Sequence, residues 1–260
     1  MITSFARRAR NFYARAQWME TFLPGPVAAV SCLLRARRYP ATLTTGRYND
    51  FSFSFRGCDV SALKEVLVDA EYGFLTDAVK SLHFPVILDV GAHIGLFSLW
   101  ALHVNPTAQI TSVEASPGTF RILECNVGLV QKAGWNAINR AAWKDDDTIR
   151  FAEAPDSMSH RVSATGGTEV KGISLAALTE GLADIDLMKV DIEGAEEAFL
   201  CVDPAALAPV KRLVVELHPQ LCDTQRVRGV LQKAFPQIVE IQGRISSKPL
   251  LYCRKWGVSP

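Results

Sequence analysis

Val86-Ile87-Leu88-Asp89-Val90-Gly91-Ala92-His93-Ile94-Gly95 is the stretch on which the fold of this chain turns. The run Val86 to Val90 follows Pro85, is apolar apart from Asp89, and stops at a glycine. That pattern predicts a short strand buried on both faces. Leu96 to Val104 then has helical spacing. A strand, a glycine turn and a helix in this order commonly frame a nucleotide-like ligand.

Two ligand classes compete for the turn. The dinucleotide fingerprint is Gly-x-Gly-x-x-Gly, whose middle glycine lets the backbone approach a pyrophosphate at a helix start. Here the spacing is Gly91-x-x-x-Gly95, with Ala92 and His93 in between. Asp89, at the strand's end, would repel a pyrophosphate. S-adenosylmethionine carries no phosphate, and its sulfonium and ammonium suit an acidic mouth. Gly91 still allows close approach, and Gly95 lets the next helix pack near the strand. Glu114 ends the following strand-like run and is placed to accept hydrogen bonds from ribose hydroxyls. It serves either cofactor class and does not choose between them. No Gly-x-x-x-x-Gly-Lys-Ser/Thr run is present for P-loop chemistry. The expected cofactor is S-adenosylmethionine.

Outward from the turn, strand-like and helix-like segments alternate. Residues 109–113 read as a strand. Pro117 to Val130 reads as a helix, with proline at a tolerated early position. Trp135 to Trp143 reads as a third strand. Residues 144–168 are polar and read mainly as loop, with an edge strand over 148–151. Ser174 is placed to cap a helix over 175–182. A strand over 185–192 leads into a helix over 194–200, whose first turn carries Glu196 and Glu197, where the helix dipole favours acids. A strand over 212–217, a helix over 223–235, and strands over 238–241 and 250–254 complete the series. The alternation predicts a mostly parallel sheet covered on both faces, with its ligand beyond the carboxyl ends of the strands.

Upstream, Phe51-Ser-Phe-Ser-Phe55 alternates with period two and reads as a strand. Residues 61–80 have helical spacing, broken at Gly73 into two pieces. Residues 1–80 are therefore read as an N-terminal extension of basic helix, strand and helix, packing on a main domain over 81–260.

The chain has 260 residues and a net charge of +1, so no global field points to nucleic acid. No basic-aromatic patch points there either. Residues 1–50 nevertheless hold eight arginines against two acids. A basic helix over 3–20 reads as a solvated terminal helix, with membrane contact by residues 1–40 as the alternative. The six cysteines show no Cys-x-x-Cys pair and read as free thiols of a reducing compartment. No apolar run nears the ~20 residues of a membrane helix. The stretch Phe22 to Leu34 is broken by Pro24, Gly25 and Pro26, and arginines follow it rather than a cleavage site. The expected location is cytoplasmic.

Several runs together resemble the FkbM family of S-adenosylmethionine-dependent methyltransferases. Asp89-Val-Gly-Ala-His-Ile-Gly-Leu-Phe-Ser98 resembles its first motif. Ser112-Val-Glu114-Ala-Ser-Pro117 with Asn126 resembles its second block. Met188-Lys-Val-Asp191-Ile-Glu193-Gly194-Ala-Glu196 resembles its most distinctive run, and Val215-Glu216-Leu-His218 a later one. Glu71-Tyr72 also fits. The resemblance spans about residues 50–220. It departs from the family pattern at His93, where Asn is usual, and at Ser116, where Pro is usual.

The resemblance implies an α/β, Rossmann-like class I methyltransferase fold over residues 81–260, with about seven strands, the last antiparallel. It implies O-methylation of a small molecule or sugar. Carried over by motif, cofactor contacts come from Asp89, Gly91, Ala92, His93, Gly95, Glu114 and Asn126. Ala141 and Ala142 stand where the third strand would approach the adenine, and Asp191 would face both methyl and substrate.

A hydroxyl acceptor is a poor nucleophile and benefits from a base. His218 titrates nearest neutrality and is the expected base. Glu193 would orient His218 or the acceptor. The site is expected to be metal-free, although Asp191, Glu193, Glu216 and His218 also form a donor set that suits a divalent ion. His160, with Ser157, Ser159 and Arg161, marks a loop that could meet substrate. No Gly-x-Ser-x-Gly elbow supports a hydrolase. A macromolecular or lipid-linked glycan acceptor, and a domain that binds without catalysis, remain the alternatives. The motifs name neither the acceptor nor the oligomeric state.

Overall fold

The structure is a computed structural model and describes residues 2–152, 161–162, 167–242 and 248–258. The loop residues Ser157, Ser159 and His160 lie outside the described residues, as does the side chain of Arg161. The chain opens with helices α1 (Ile2–Met19) and α2 (Pro26–Arg38). A hairpin follows, β1 (Leu43–Tyr48) and β2 (Phe51–Arg56), paired antiparallel. Residues 57–80 are two broken helical pieces, as the glycine at position 73 suggested. The first contains α3 (Val60–Leu63) and a wider turn over Lys64–Val68; the second ends in α4 (Thr76–Lys80).

The alternating series then begins. It runs β3 (Val86–Val90), α5 (Leu96–Val104), β4 (Gln109–Glu114), α6 (Pro117–Val130) and β5 (Trp135–Asn139). An outlying group follows: β6 (Ala141–Ala142), β7 (Thr148–Ala152), β8 (Arg161–Val162) and β9 (Thr168–Ile173). The series resumes with α7 (Leu175–Thr179), β10 (Leu187–Val190), α8 (Glu196–Leu200) and β11 (Arg212–Glu216). It closes with α9 (Thr224–Ala234), β12 (Gln237–Glu240) and β13 (Leu250–Arg254).

The central sheet has seven strands in the order β12-β13-β11-β10-β3-β4-β5. Its members β11, β10, β3, β4 and β5 pair in parallel, and β13 runs antiparallel to both neighbours. The order reverses at β3, which has β4 on one side and β10 on the other. This is where a doubly wound sheet opens a crevice for a ligand. Every residue of β10 and β11 is buried, because helices cover both faces.

Residues before position 81 share one core with the sheet. Met19, Phe22, Phe53 and Phe55 pack in the same apolar cluster as Ile87, Leu99, Ile110 and Leu123. Asn126 of α6 fastens the hairpin to the sheet's turn. Its Oδ1 accepts from Ser54 N at 2.6 Å, and its Nδ2 donates to Ser54 O at 3.0 Å and Ile94 O at 2.8 Å.

Three segments depart from the sequence reading. The expected strand 135–143 breaks at Arg140, because β4 ends at Glu114 and leaves no ladder beyond it. Asn139 Nδ2 instead donates to Glu114 O and Ala115 O, and Ala141–Ala142 crosses to β9. The helix expected from Gly194 begins at Glu196, since Glu193 (φ 50) and Gly194 (φ 100) are left-handed. The helix from Ser174, whose Oγ accepts from Ala177 N, stops at Thr179, two residues before left-handed Gly181. Among the described residues, no helix is long and apolar enough to cross a membrane.

Candidate active site

The floor of the crevice is the turn after β3. Gly91 has φ 77, and a Cβ there would lie 1.8 Å from Asp191 O, so only glycine lets β3 and β10 end side by side. Gly95 has φ 88, and its missing side chain makes room for Trp135 and Leu123. Four amide hydrogens of the turn are spent inside the protein. Gly91 N and Ala92 N both donate to Val113 O at 2.9 Å, and Gly95 N donates to Ala92 O at 2.8 Å. His93 N donates to Glu114 Oε2 at 2.9 Å. A phosphate cradle needs such N–H groups aimed at the ligand, and here these four face protein acceptors.

Asp89 lies beneath the floor. It is fully buried, and Ser98 Oγ donates to its Oδ2 at 2.7 Å. Ser98 has one hydroxyl proton, so Ser112, 2.8 Å away, must donate to Ser98 while accepting from Trp135 Nε1 at 2.9 Å. Lys189 Nζ stands 3.4 Å from Asp89 Oδ1 and donates to Gly91 O at 2.6 Å. The Asp89 carboxylate thus braces the turn and does not reach the cavity, contrary to its expected place at an acidic mouth. Gly95 and Asn126 also lie outside the cavity lining, because packing and the hairpin clamp use them up.

The other expected cofactor residues do border the cavity: Gly91, Ala92, His93, Glu114, Ala141, Ala142 and Asp191, and so does Glu193. The cleft encloses about 950 Å³ of empty space, part of it open to solvent. Glu114 holds its place by accepting from His93 N and Ser116 N, one to each oxygen. Each oxygen keeps a further lone pair for a ligand. Burial raises this carboxyl above its ordinary value, and the charges and amide bonds around it offset only part of that rise. His93 Nε2 lies 3.1 Å from Asp59 Oδ1.

The sequence reading missed several walls of the cavity. Ala62, Glu65 and Val66 come from the irregular segment after β2, and Glu71 and Tyr72 from its end. Nothing in their pattern marked the first three as site residues. Arg140 and Lys189 also line it. Lys189 had a signal, as a charge inside an apolar strand requires a buried partner.

His218 occupies a different place from the one expected of a base. It is 3% exposed and sits behind Asp191 and Glu193, outside the cavity lining. Its Nδ1 lies 2.8 Å from Glu196 Oε1. Its Nε2 lies 3.1 Å from Glu193 Oε2, 3.8 Å from Glu216 Oε1 and 3.9 Å from Asp191 Oδ1. Burial alone would lower the imidazole, but the close carboxylates of Glu193, Glu196 and Asp191 outweigh it and push it up to about 10. An imidazolium has no lone pair with which to take a proton at neutral pH.

With this geometry in place, likeness to known proteins becomes informative. A family model for the methyltransferase FkbM domain matches residues 89–243. The chain belongs to that family. The match runs from Asp89 beneath the turn to the segment after β12, and so includes the crevice. This FkbM-family methyltransferase is 25% identical over 191 residues to the 31-O-demethyl-FK506 methyltransferase FkbM of Streptomyces tacrolimicus, covering 60% of this chain and 73% of that protein. It is 27% identical over 198 residues to the AMB antimetabolite synthetase AmbE of Pseudomonas aeruginosa, of which it spans only 9%. Among solved structures, the N-terminal domain of EvdMO1 with SAH bound superposes with a TM-score of 0.51 at 14% identity, covering 86% of this chain and 96% of that one. The fold is that of class I methyltransferases.

Proposed function

We propose that this FkbM-family chain transfers the methyl group of S-adenosylmethionine to a hydroxyl of a small molecule or sugar. One observation carries the reading. The crevice at the switch point has four of its turn amides, those of Gly91, Ala92, His93 and Gly95, already bonded within the protein, and its walls are rich in carboxylates. Glu65, Glu71, Glu114, Asp191 and Glu193 outnumber Arg140 and Lys189 among the charged lining residues. Such a site suits a phosphate-free, cationic cofactor. Glu114 would hold the ribose, Ala141 and Ala142 would flank the base, and Glu71 and Asp191 would face the ammonium end. The choice of oxygen as acceptor leans on the name of the FK506 methyltransferase relative.

When bound, the cofactor supplies an electrophilic methyl carbon and a neutral thioether leaving group. The chain's own part is to position the acceptor, exclude water and receive the acceptor's proton. Positioning alone can contribute roughly 7–11 kcal/mol. Asp191 and Glu193, at the cavity's edge, are the carboxylates placed to grip the hydroxyl. His218 acts behind them as a positioning residue, holding both through its ring.

The test is calorimetric titration with S-adenosylmethionine and with NADH. Methyl-labelled cofactor is then supplied with a panel of sugars, polyols and hydroxylated polyketides. Binding of the methyl donor and label transfer to a hydroxyl compound are expected. Binding of NADH alone would sink the cofactor assignment, and label transfer only to amines would sink the oxygen assignment.

A further inference from the structure

The turn after β10 and the end of β11 bring several ionisable side chains to one point. Asp191, Glu193 and His218 each place one ligand atom within 4.8 Å of the others. Glu216 Oε1 stands 3.8 Å from the same imidazole nitrogen. A run of acids would not by itself make a site; the histidine adds a second, independent observation. It is 3% exposed, and its buried Nε2 makes no hydrogen bond, although Glu193 Oε2 is 3.1 Å away. Three carboxylates surround this nitrogen, Glu193 at 3.1 Å, Glu216 at 3.8 Å and Asp191 at 3.9 Å.

The far side of the ring is fixed. Nδ1 meets Glu196 Oε1 at 2.8 Å, and Glu196 is fully buried. Glu196 is anchored in turn by Gly194 N at 3.0 Å and Cys222 Sγ at 3.2 Å. Histidines that bind metals show this arrangement, with one nitrogen tied to a carboxylate and the other turned toward the ion. Cationic charge is already drawn to the point, since Lys248 Nζ lies 3.1 Å from Glu193 Oε1 and 3.3 Å from Glu216 Oε1.

We infer that Asp191, Glu193 and His218 form a binding site for a divalent cation of the magnesium–manganese class, which displaces the Nε2 proton of His218 to solvent as it binds. Two carboxylates with one imidazole, and no thiolate among the three, favour a hard ion. An octahedral ion about 2.1 Å from each donor holds adjacent donors roughly 3.0 Å apart and opposite ones roughly 4.2 Å apart, so the side chains need to close by about 1 Å. Asp191 and Glu193 border the cavity, which leaves the ion's open positions facing an acceptor. There it would polarise the acceptor hydroxyl and ease loss of its proton. That use rests on the methyl-transfer reading; the binding does not.

The test strips the full chain with chelator and titrates it with MnCl₂, following the signal of free manganese by electron paramagnetic resonance. One saturable equivalent is expected. Glu193→Gln and His218→Ala should weaken it at least about 10-fold, and Glu196→Gln about 10-fold, the range found for ligand-orienting groups. The far-ultraviolet circular dichroism of Glu196→Gln, measured on the same samples, should match the wild type, which shows that the fold is intact. No saturable binding by the wild-type chain at millimolar manganese overturns the inference, as does equal binding by wild type and Glu193→Gln. Manganese binding without S-adenosylmethionine binding would leave the cation site standing and remove the methyl-transfer reading.

Discussion

Lys189 Nζ lies 3.4 Å from Asp89 Oδ1, and this buried ion pair joins neighbouring parallel strands beneath the cavity floor. Burial opposes the ammonium's charge, but Asp89 and Asp191 outweigh it and raise the group above its ordinary value. Lys189→Met has a similar shape and removes the charge, leaving Asp89 buried without its cation. The expected loss is about 3–5 kcal/mol of stability, read from urea denaturation. The double variant Lys189→Met with Asp89→Asn should recover part of it. A loss below about 1 kcal/mol for the single variant would show that the pair does not hold the floor.

Glu114 joins the turn to the cavity. Glu114→Gln places an amide donor against either His93 N or Ser116 N, both of which now donate to the carboxylate. The change spoils one such bond and the ribose contact assigned to the same side chain. A loss of roughly 2–3 kcal/mol in S-adenosylmethionine affinity is expected, which is some 30- to 150-fold by calorimetry. Unaltered affinity would place the ribose elsewhere in the crevice.

Asn126 offers a test of the hairpin's attachment. Asn126→Ala leaves Ser54 N, Ser54 O and Ile94 O without the three bonds the amide provides. A cost of about 2–4 kcal/mol is expected, since each buried group left unsatisfied costs about 1–3 kcal/mol and relaxation recovers some of it. Hydrogen exchange should accelerate at Ser54 and its neighbours in β2 more than in β10. Uniform acceleration across the sheet would mean that the clamp is not local.

What the sequence made legible follows from how each signal arises. Val86–Val90 and Leu187–Val190 announce themselves because strands buried on both faces must be apolar throughout. Leu43–Tyr48 and Thr168–Ile173 did not, because their glycines answer to distant neighbours. A Cβ at Gly46 would meet Phe22 O at 3.2 Å, and one at Gly172 would meet Asp145 O at 2.4 Å. The same holds for the site. Gly91 and Glu114 follow from local geometry, a turn and a strand end. His218 reads locally as a neutral base; its behaviour depends on Glu193, Glu196, Glu216 and Asp191, three of which lie more than 20 positions away along the chain. Ala62, Glu65 and Val66 reach the cavity only because the hairpin packs on α6, which no local pattern encodes.

Asp59 gives the acid limb of stability a specific origin. It is fully buried in the turn that follows β2. Arg56 grips it through Nε at 3.0 Å and Nη2 at 2.9 Å, and His93 Nε2 stands 3.1 Å away. Burial alone would raise its carboxyl, but His93 and Arg56 outweigh that and hold it far below its ordinary value of 3.8. The unfolded chain therefore takes up this proton at a higher pH than the folded one. The group's contribution is complete above the ordinary carboxylate value and fades as pH falls below it toward the depressed one. Asp59→Asn should cost about 3–5 kcal/mol near neutrality, because it leaves Arg56 without its charge partner. The gap between wild type and variant, measured by urea denaturation at descending pH, should hold down to the ordinary carboxylate value and narrow below it. A gap that stays constant through the most acid points would show that the stabilisation comes from packing around Asp59, with its charge contributing nothing.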